Sequence, residues 1–385
     1  MGILQRYVIL ETLKLFSVTA VITLLLMTLG GGVREGLRNG LPPHLMLRGM
    51  PYLIPEMLQF TFPGCALFAV CSLFGRMTAA NEMLAVKSLG IHPLKMIWPV
   101  LILSYFLSIV TFEVHDLCAV WARPGLRRLL TESLDEIAYG VLRTSGAFTR
   151  QGLSIIVRGV RDDVLLQPLI TYDPGNGKPL VTLTAQEARL VANADTGTLR
   201  LECRNGELEV SGTGRLSFPD EFAHELLLDP PVPDPDNHLR PSELRCGIIP
   251  QQIRREQRLL GQLERDLETA RRQGSAPNAD LSKQAEERRS RLFRLQAEIS
   301  RRLASGFACS CFVLLGLPVA IWSRSADVTS VFFLCFLPIL LLFYPLFVVG
   351  ENLARAGVWP YCSVWLADAV LSIIGVGLLW RVLRR

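Results

Sequence analysis

The stretch GRMTAANEMLAVKSLGIHPLK, residues 75–95, sits between two long apolar runs, yet it is short, charged and punctuated like a helix. Thr78 has the chemistry of an N-cap, and Glu82 falls in the first turn, where the helix dipole favours an anion. Gly90 followed by Pro93 is a stop signal. Met83, Leu84, Val86 and Leu89 give the segment a partly apolar surface. Read alone it is either an ordinary loop helix or, laid along a membrane face, a docking surface for another protein. The flanking sequence decides between the two.

Half of the 385 residues are hydrophobic and the mean hydropathy is +0.33, too apolar for an average soluble protein. The net charge of +5 is concentrated outside the apolar runs, and no basic patch is interleaved with aromatics, which argues against nucleic acid. Residues 3–14 mix apolar and charged positions and fit an interfacial entry to a first span, Leu15 to Val33. No small-residue cleavage site follows that run, so it reads as a retained helix and not a signal peptide. The glycines at 30–32 suit an exit from the helix, and Gly32 with Gly36 would also permit close packing. Further runs follow from Pro51 to Phe74, Met96 to Val114, Leu303 to Trp322, Val331 to Gly350 and Tyr361 to Trp380. Each supplies about the 20 residues that a hydrocarbon core of ~30 Å requires. Glu56 near the outer end of the second run reads as an interfacial carboxylate. Asp368 in the last run reads as an acid paired with a neighbouring helix.

Between the third and fourth runs the pattern changes. SIIVRGV (154–160), PLITY (168–172), LVTLTAQEARLV (180–191) and TLRLECRNGELEV (198–210) are strand-like. In the last, Leu199, Leu201 and Cys203 alternate with polar residues, Asn205-Gly206 predicts a type I′ hairpin turn, and Leu208 and Val210 resume the alternation. DPGNGKP (173–179) predicts another turn; GNGKP lacks the glycine spacing and the Ser/Thr of a phosphate-binding loop. After the proline-rich DPPVPDPDNHLRP (229–241), leucines recur at helical spacing on either side of RQGSAPNAD (272–280), which predicts a hairpin of two amphipathic helices rich in arginine.

The fold class that emerges is a polytopic α-helical membrane protein with six transmembrane helices arranged 3+3. A central extracytoplasmic antiparallel β domain and a helical hairpin lie between the two triplets. The boundaries read as 1–117 for the first three spans with the 75–95 helix, 118–241 for the β domain, 242–302 for the charged hairpin and 303–385 for the last three spans. Of nine cysteines, most fall in or beside apolar runs and read as small buried hydrophobes, with no metal site among them. Cys203 and Cys246 could pair in an oxidising compartment, but spacing does not decide it. With both termini inside, the inner segments carry Arg6, Lys14, Arg76, Lys87, Lys95, Arg324, Arg381, Arg384 and Arg385. The outer loops then carry Arg34, Arg38, Arg48 and Arg355. That bias places the termini and residues 75–95 in the cytoplasm and the β domain outside.

Three spans, an external β domain, three spans and a cytoplasmic helix after span two form a pattern that resembles the LptF/LptG (YjgP/YjgQ) permease family of lipopolysaccharide export. RYVILETLK (6–14), IPEMLQFTFP (54–63), residues 75–95, Arg301-Arg302 and GLPVAI (316–321) carry the resemblance, and RY…ETLK with PPHL…PEMLQ are more similar to LptF than to LptG. The resemblance implies a permease subunit of an ABC transporter in the inner membrane. It would pair with a sister permease, LptG or LptF, and extract lipopolysaccharide. Its β domain would be a jellyroll in the periplasm that passes the lipid to the bridge proteins LptC and LptA. ATP would be used by a cytoplasmic ATPase, LptB, leaving this chain no cofactor and no catalytic residue. Arg76, Glu82, Met83, Leu84, Lys87 and Gly90 would then form the ATPase-coupling surface, with Glu82 at its centre. Arg34, Arg38, Arg301 and Arg302 would face the lipid's phosphates. Two features depart from the family: the hairpin of about 250–300 is longer and more arginine-rich than its usual connector, and Asp368 stands where an asparagine is more typical.

Three rival classes stay in view. A mechanotransmission permease of the FtsX or MacB kind usually has four spans and one external domain near the start. A plain membrane anchor displaying the β domain has no use for a docking helix at 75–95. A lipid-modifying enzyme would have to rely on His115 with Glu113 and Asp116 at the end of span three.

Overall fold

The computed structural model describes residues 2–38, 43–132, 139–143, 146–150, 153–161, 164–172, 181–193, 198–210, 214–227, 241–272, 279–323 and 328–384. The turns expected at DPGNGKP and within RQGSAPNAD, and all but the last residue of the proline-rich 229–241 segment, lie outside these residues. The chain divides into two compact units. One comprises Met1–Leu26, Ile54–Trp121 and Arg240–Arg385; the other comprises Met27–Leu53 and Ala122–Leu239.

Six helices among the described residues are long and apolar enough to cross a membrane: Ile3–Gly32, Pro43–Ala79, Leu94–Leu129, Leu281–Ser323, Thr329–Arg355 and Tyr361–Arg384. They answer to the six apolar runs; span three runs on past Val114 through a π-helical turn, Cys118–Ala122, to Leu129, and three further differences stand out. Span two starts at Pro43, well before Pro51, and carries Pro51, Pro55 and Pro63 within the helix. A membrane helix tolerates these prolines because its neighbours satisfy the carbonyls that they free. Span one does not end at its glycines: Ile3–Met27 passes through a π-helical turn, Thr28–Gly32, into Val33–Arg38. Losing backbone hydrogen bonds in hydrocarbon costs more than glycine's poor helix propensity. The close approach read at Gly36 does occur, since a Cβ there would stand 2.6 Å from Met46 Cε.

The third difference concerns the hairpin. Its first helix is Ile249–Arg272, but its second does not stop before span four. Ala279–Ser323 is one helix of 45 residues, about 67 Å long at 1.5 Å per residue. No proline interrupts it before Pro318, so the charged half and the apolar half form a single rod. In the membrane unit this helix is central. Ser310 Oγ lies 2.8 Å from Ser108 Oγ of span three, and a Cβ on Gly316 would stand 2.5 Å from Leu67 Cδ1 of span two. Leu67, Cys71, Phe74, Cys311, Leu315 and Cys335 belong to one buried cluster.

Among the described residues of the second unit, eight strands form one curled antiparallel sheet. The strands are β1 (Ala147–Arg150), β2 (Leu153–Ile156), β3 (Gly159–Arg161), β4 (Val164–Leu166), β5 (Leu169–Tyr172), β6 (Val181–Asn193), β7 (Thr198–Val210) and β8 (Gly214–Leu227). Strand β6 pairs with β4 and β5 on one edge and with β7 on the other; β7 then pairs with β8.

The hairpin turn expected at Asn205-Gly206 is absent. Residues 198–210 are one strand, paired with β6 along its length. A two-residue turn there would match Arg204 with Glu207 but set Glu202 opposite Glu209, a destabilising like-charged pair. The observed register sets Glu202 opposite Arg189 and Arg204 opposite Glu187. Asn205 does adopt the left-handed conformation, at φ 49°, but it marks a register shift against β8 and a change of face. Leu183 and Ala185, then Ala188 and Leu190, point into the core of the sheet, so β6 switches phase at the same level.

All nine cysteines are free thiols, Cys203 and Cys246 among them. Burial pushes the Cys203 thiol up to about 12, so it stays protonated and behaves as a small apolar side chain.

Candidate functional site

Two places in the membrane unit concentrate polar chemistry: the loop between spans two and three, and the end of the bundle where the 241–246 connector enters. In the loop, Thr78 is not the N-cap. Span two runs on to Ala79, and Thr78 Oγ1 donates to the Phe74 carbonyl inside that helix, at 2.7 Å. The loop helix is shorter than the sequence suggests, Glu82–Ser88, preceded by Asn81 in the left-handed conformation at φ 58°. A side-chain amide tolerates that conformation better than most residues, which lets the chain turn sharply between two helices.

The other end stops as read. Gly90 has φ +75°; its N–H bonds to the Lys87 carbonyl, and the Ile91 N–H bonds to that of Val86. This paired ending is a Schellman motif, and it places glycine at the left-handed position. His92 Nδ1 then accepts from the Leu94 N–H at 3.2 Å and opens span three.

The helix has two faces. Met83 is 6% exposed and joins the membrane core with Met77, Met96 and Ile97, and Val86 packs partly against it. Glu82, Leu84, Lys87 and Leu89 face outward, with Leu84 and Leu89 at 65% and 76% exposure. Span one braces the loop at both ends. Glu11 accepts from Arg76 Nη2 at 3.2 Å, and Gln5 donates to the Lys95 carbonyl at 3.3 Å. Of the residues read as a docking surface, Glu82, Leu84, Lys87 and Gly90 lie exposed, Arg76 is engaged by Glu11, and Met83 anchors the helix.

The second place is organised by Arg302, 1% exposed and one position before the fourth apolar run. Its guanidinium uses all five N–H groups. Nε donates to Glu298 Oε1 at 3.1 Å, and Nη1 donates to Asp116 Oδ1 at 3.2 Å and to the Leu244 carbonyl at 2.8 Å. Nη2 donates to the carbonyls of Ser242 at 3.1 Å and Pro241 at 3.5 Å. A guanidinium cannot shed its charge, so burying it requires this full set of partners. Asp116 also accepts from the Cys246 N–H at 2.7 Å, so one ion pair grips the connector from both ends.

Arg301 extends the network. It donates to Glu298 at 2.6 Å and 3.1 Å and lies 3.6 Å from Glu351, which binds Arg355 at 2.6 Å. Spans three, four and five and the connector therefore meet in one charged cluster. His115 Nε2 lies 2.9 Å from Ser305 Oγ, a bond between spans three and four. Sequence reading missed the pairing role of Asp116. An acid just past one apolar run and an arginine pair just before another were the available signal, but 186 residues separate the partners.

Arg34 is exposed in Val33–Arg38, the helix that also contains Arg38. Asp368 is 1% exposed, and no cation pairs with it among the described residues. Its Oδ1 accepts from the Cys311 thiol at 3.5 Å, and no partner of Oδ2 occurs among the described residues.

The family model for the lipopolysaccharide export system permease LptF/LptG matches residues 6–381, nearly the whole chain. No curated protein matches it.

Proposed function

We propose a transport mechanism from one premise: the chain belongs to the LptF/LptG family of lipopolysaccharide export system permeases. In this reading it is a permease subunit of an ABC transporter in the inner membrane, with both termini cytoplasmic and the sheet domain periplasmic. The observation that carries it is the 82–88 helix. It is anchored by one buried side chain, Met83, and presents Glu82, Leu84, Lys87 and Leu89 outward. A short helix held this way suits docking onto a cytoplasmic ATPase, assigned here to LptB, which would supply the ATP chemistry.

A push on that helix is relayed along two routes. Met83 transmits it to the core between spans two and three, and Arg76 transmits it to span one through Glu11. A sister permease, LptG or LptF, would close the lipid cavity on the open side. Arg34 and Arg38 at the outer end of span one are given the lipid's phosphates, where charge-assisted bonds are strongest. Arg301 and Arg302 are given the connector, because carboxylates and carbonyls already take their donors. The sheet domain would hand the lipid to LptC and LptA by strand addition at an open edge.

The test is Glu82→Lys in the assembled complex. The expected outcome is loss of ATPase copurification and of lipopolysaccharide export, with the chain still inserted. Retention of both would sink the coupling assignment.

A further inference from the structure

The hairpin is the part of the chain that this reading leaves without a task. Its first helix, Ile249–Arg272, turns Glu256 inward, where it holds Arg288 at 3.0 Å and Arg291 at 3.5 Å on the long helix. The opposite face is one continuous stripe. Gln251, Arg255, Arg258, Gln262 and Arg265 follow at steps of four and three, and all are exposed, with Arg254 exposed beside them. Most acids of this helix are elsewhere: Glu256 is buried, Glu264 and Glu268 fall to the flanks at 100° per residue, and Asp266 stands at the edge of the stripe beyond its last groove residue.

A helix face that serves only solubility interleaves its charges, so that opposite signs meet at i,i+4. Here Arg254 and Arg258 stand at that spacing with like charge. Together with Gln251, Arg255, Leu259 and Gln262 they line an open groove of about 440 Å³. Arg254 Nε already donates to the Pro250 carbonyl at 3.4 Å, but a guanidinium carries five N–H groups, so three of them with two amides along one groove can still meet phosphate oxygens.

Height selects the source of the phosphate. Glu256 is level with Arg288 and Arg291, which precede the apolar run at Leu303 by roughly 20 Å of helix. The headgroup layer adds only about 5–8 Å to each side of the hydrocarbon. The groove therefore stands above the phospholipid phosphates, at a level within reach of a lipid with a large polar head. We propose that this arginine groove binds the phosphorylated sugar head of the exported glycolipid. The inference rests on the export reading, which supplies the cargo and the outer location of the hairpin.

The test uses the purified full chain in detergent and the water-soluble phosphorylated oligosaccharide left when lipid A is removed from lipopolysaccharide. Isothermal titration should show binding that the combined change Arg254→Gln, Arg255→Gln and Arg258→Gln weakens at least about tenfold. Glu264→Gln with Glu268→Gln, on the flanks, should leave it unchanged, and the dephosphorylated oligosaccharide should bind about tenfold more weakly. Wild-type affinity in the triple variant overturns the proposal, as does equal affinity for the dephosphorylated sugar. Equal competition by phosphatidylglycerol micelles overturns it too, because a general membrane contact would then suffice. The assay involves neither ATPase nor acyl chains, so its outcome is separate from that of export. Binding without any export defect in Glu82→Lys sinks the transport reading alone; intact export without binding sinks the groove alone.

Discussion

Arg302 Nη1 lies 3.2 Å from Asp116 Oδ1, joining the end of span three to the start of span four across 186 residues. The same guanidinium holds three carbonyls of the connector, at Pro241, Ser242 and Leu244. The segment that leads from the sheet domain into the hairpin is thus fastened to the membrane bundle by a buried ion, beside the buried Leu244 side chain. A force on span four reaches the connector through Arg302, and one on span three also through Asp116, which accepts from the Cys246 N–H at 2.7 Å.

Replacing Arg302 should therefore be severe. Arg302→Ala leaves Asp116 and Glu298 short of a partner, and breaking a buried pair in this way costs about 3–5 kcal/mol. Arg302→Lys should rescue little, because a point charge cannot fork between carboxylates and carbonyls. Thermal melting in detergent checks both. Asp116→Asn combined with Arg302→Gln should cost less than the sum of the single changes, and strict additivity would show that the two do not act as a pair.

The loop helix separates anchoring from docking. Met83→Ala empties a core position and should cost about 2–5 kcal/mol of stability. Leu84→Asp, at an exposed position, should leave the stability within about 0.5 kcal/mol of wild type while weakening ATPase copurification. Equal effects of the two changes on stability would mean that the faces have been assigned wrongly.

Helix contacts in the last three spans depend on particular glycines. A Cβ on Gly350 would stand 2.5 Å from the Ser363 carbonyl oxygen, and one on Gly375 would stand 3.0–3.1 Å from Leu314 atoms, backbone included. Gly350→Ala should destabilise by about 1–3 kcal/mol through overpacking, and Gly375→Ala by a smaller amount. Gly377→Ala meets nothing within 4 Å and should be neutral or gain up to about 1 kcal/mol from helix propensity. A ranking of melting temperatures among the three variants settles the matter.

Cysteine labelling reports orientation. Cys362 is exposed, Cys246 is half-buried and the other seven cysteines are buried. A membrane-impermeant maleimide applied from the periplasmic side should label mainly Cys362, and Cys362→Ser should remove most of the signal. Cys203, buried and with its thiol pushed up to about 12, should react only after unfolding. Labelling of Cys362 solely from the cytoplasmic side would invert the topology.

Much of this fold is legible in the residues because the strongest forces behind it act locally. A run of twenty apolar residues has to span the membrane or be buried, whatever its neighbours do, so all six spans are readable. The Schellman ending at Gly90 is readable for the same reason: left-handed backbone and a following proline act within one turn. Thr78 misleads because a hydroxyl that caps a helix can equally bond back to the carbonyl four residues earlier, and span two is long enough to absorb it. Asn205-Gly206 misleads because its turn chemistry is real but overruled. The change in side-chain phase between Cys203 and Leu208 is visible in the residues, yet only the β6 partner explains it, by offering Arg189 to Glu202.

By itself the sequence determined the six spans, the antiparallel β region between the triplets, the amphipathic hairpin and the helix after span two, because hydrophobic period and backbone preference act over a few residues. Only the tertiary structure decided that Thr78 belongs to span two, that hairpin and span four are one rod, and that 198–210 is a single strand. It alone brought Asp116, Glu298 and Arg302 together around the connector. Those outcomes depend on which charges and carbonyls meet across long separations in the chain, and no local preference carries that information.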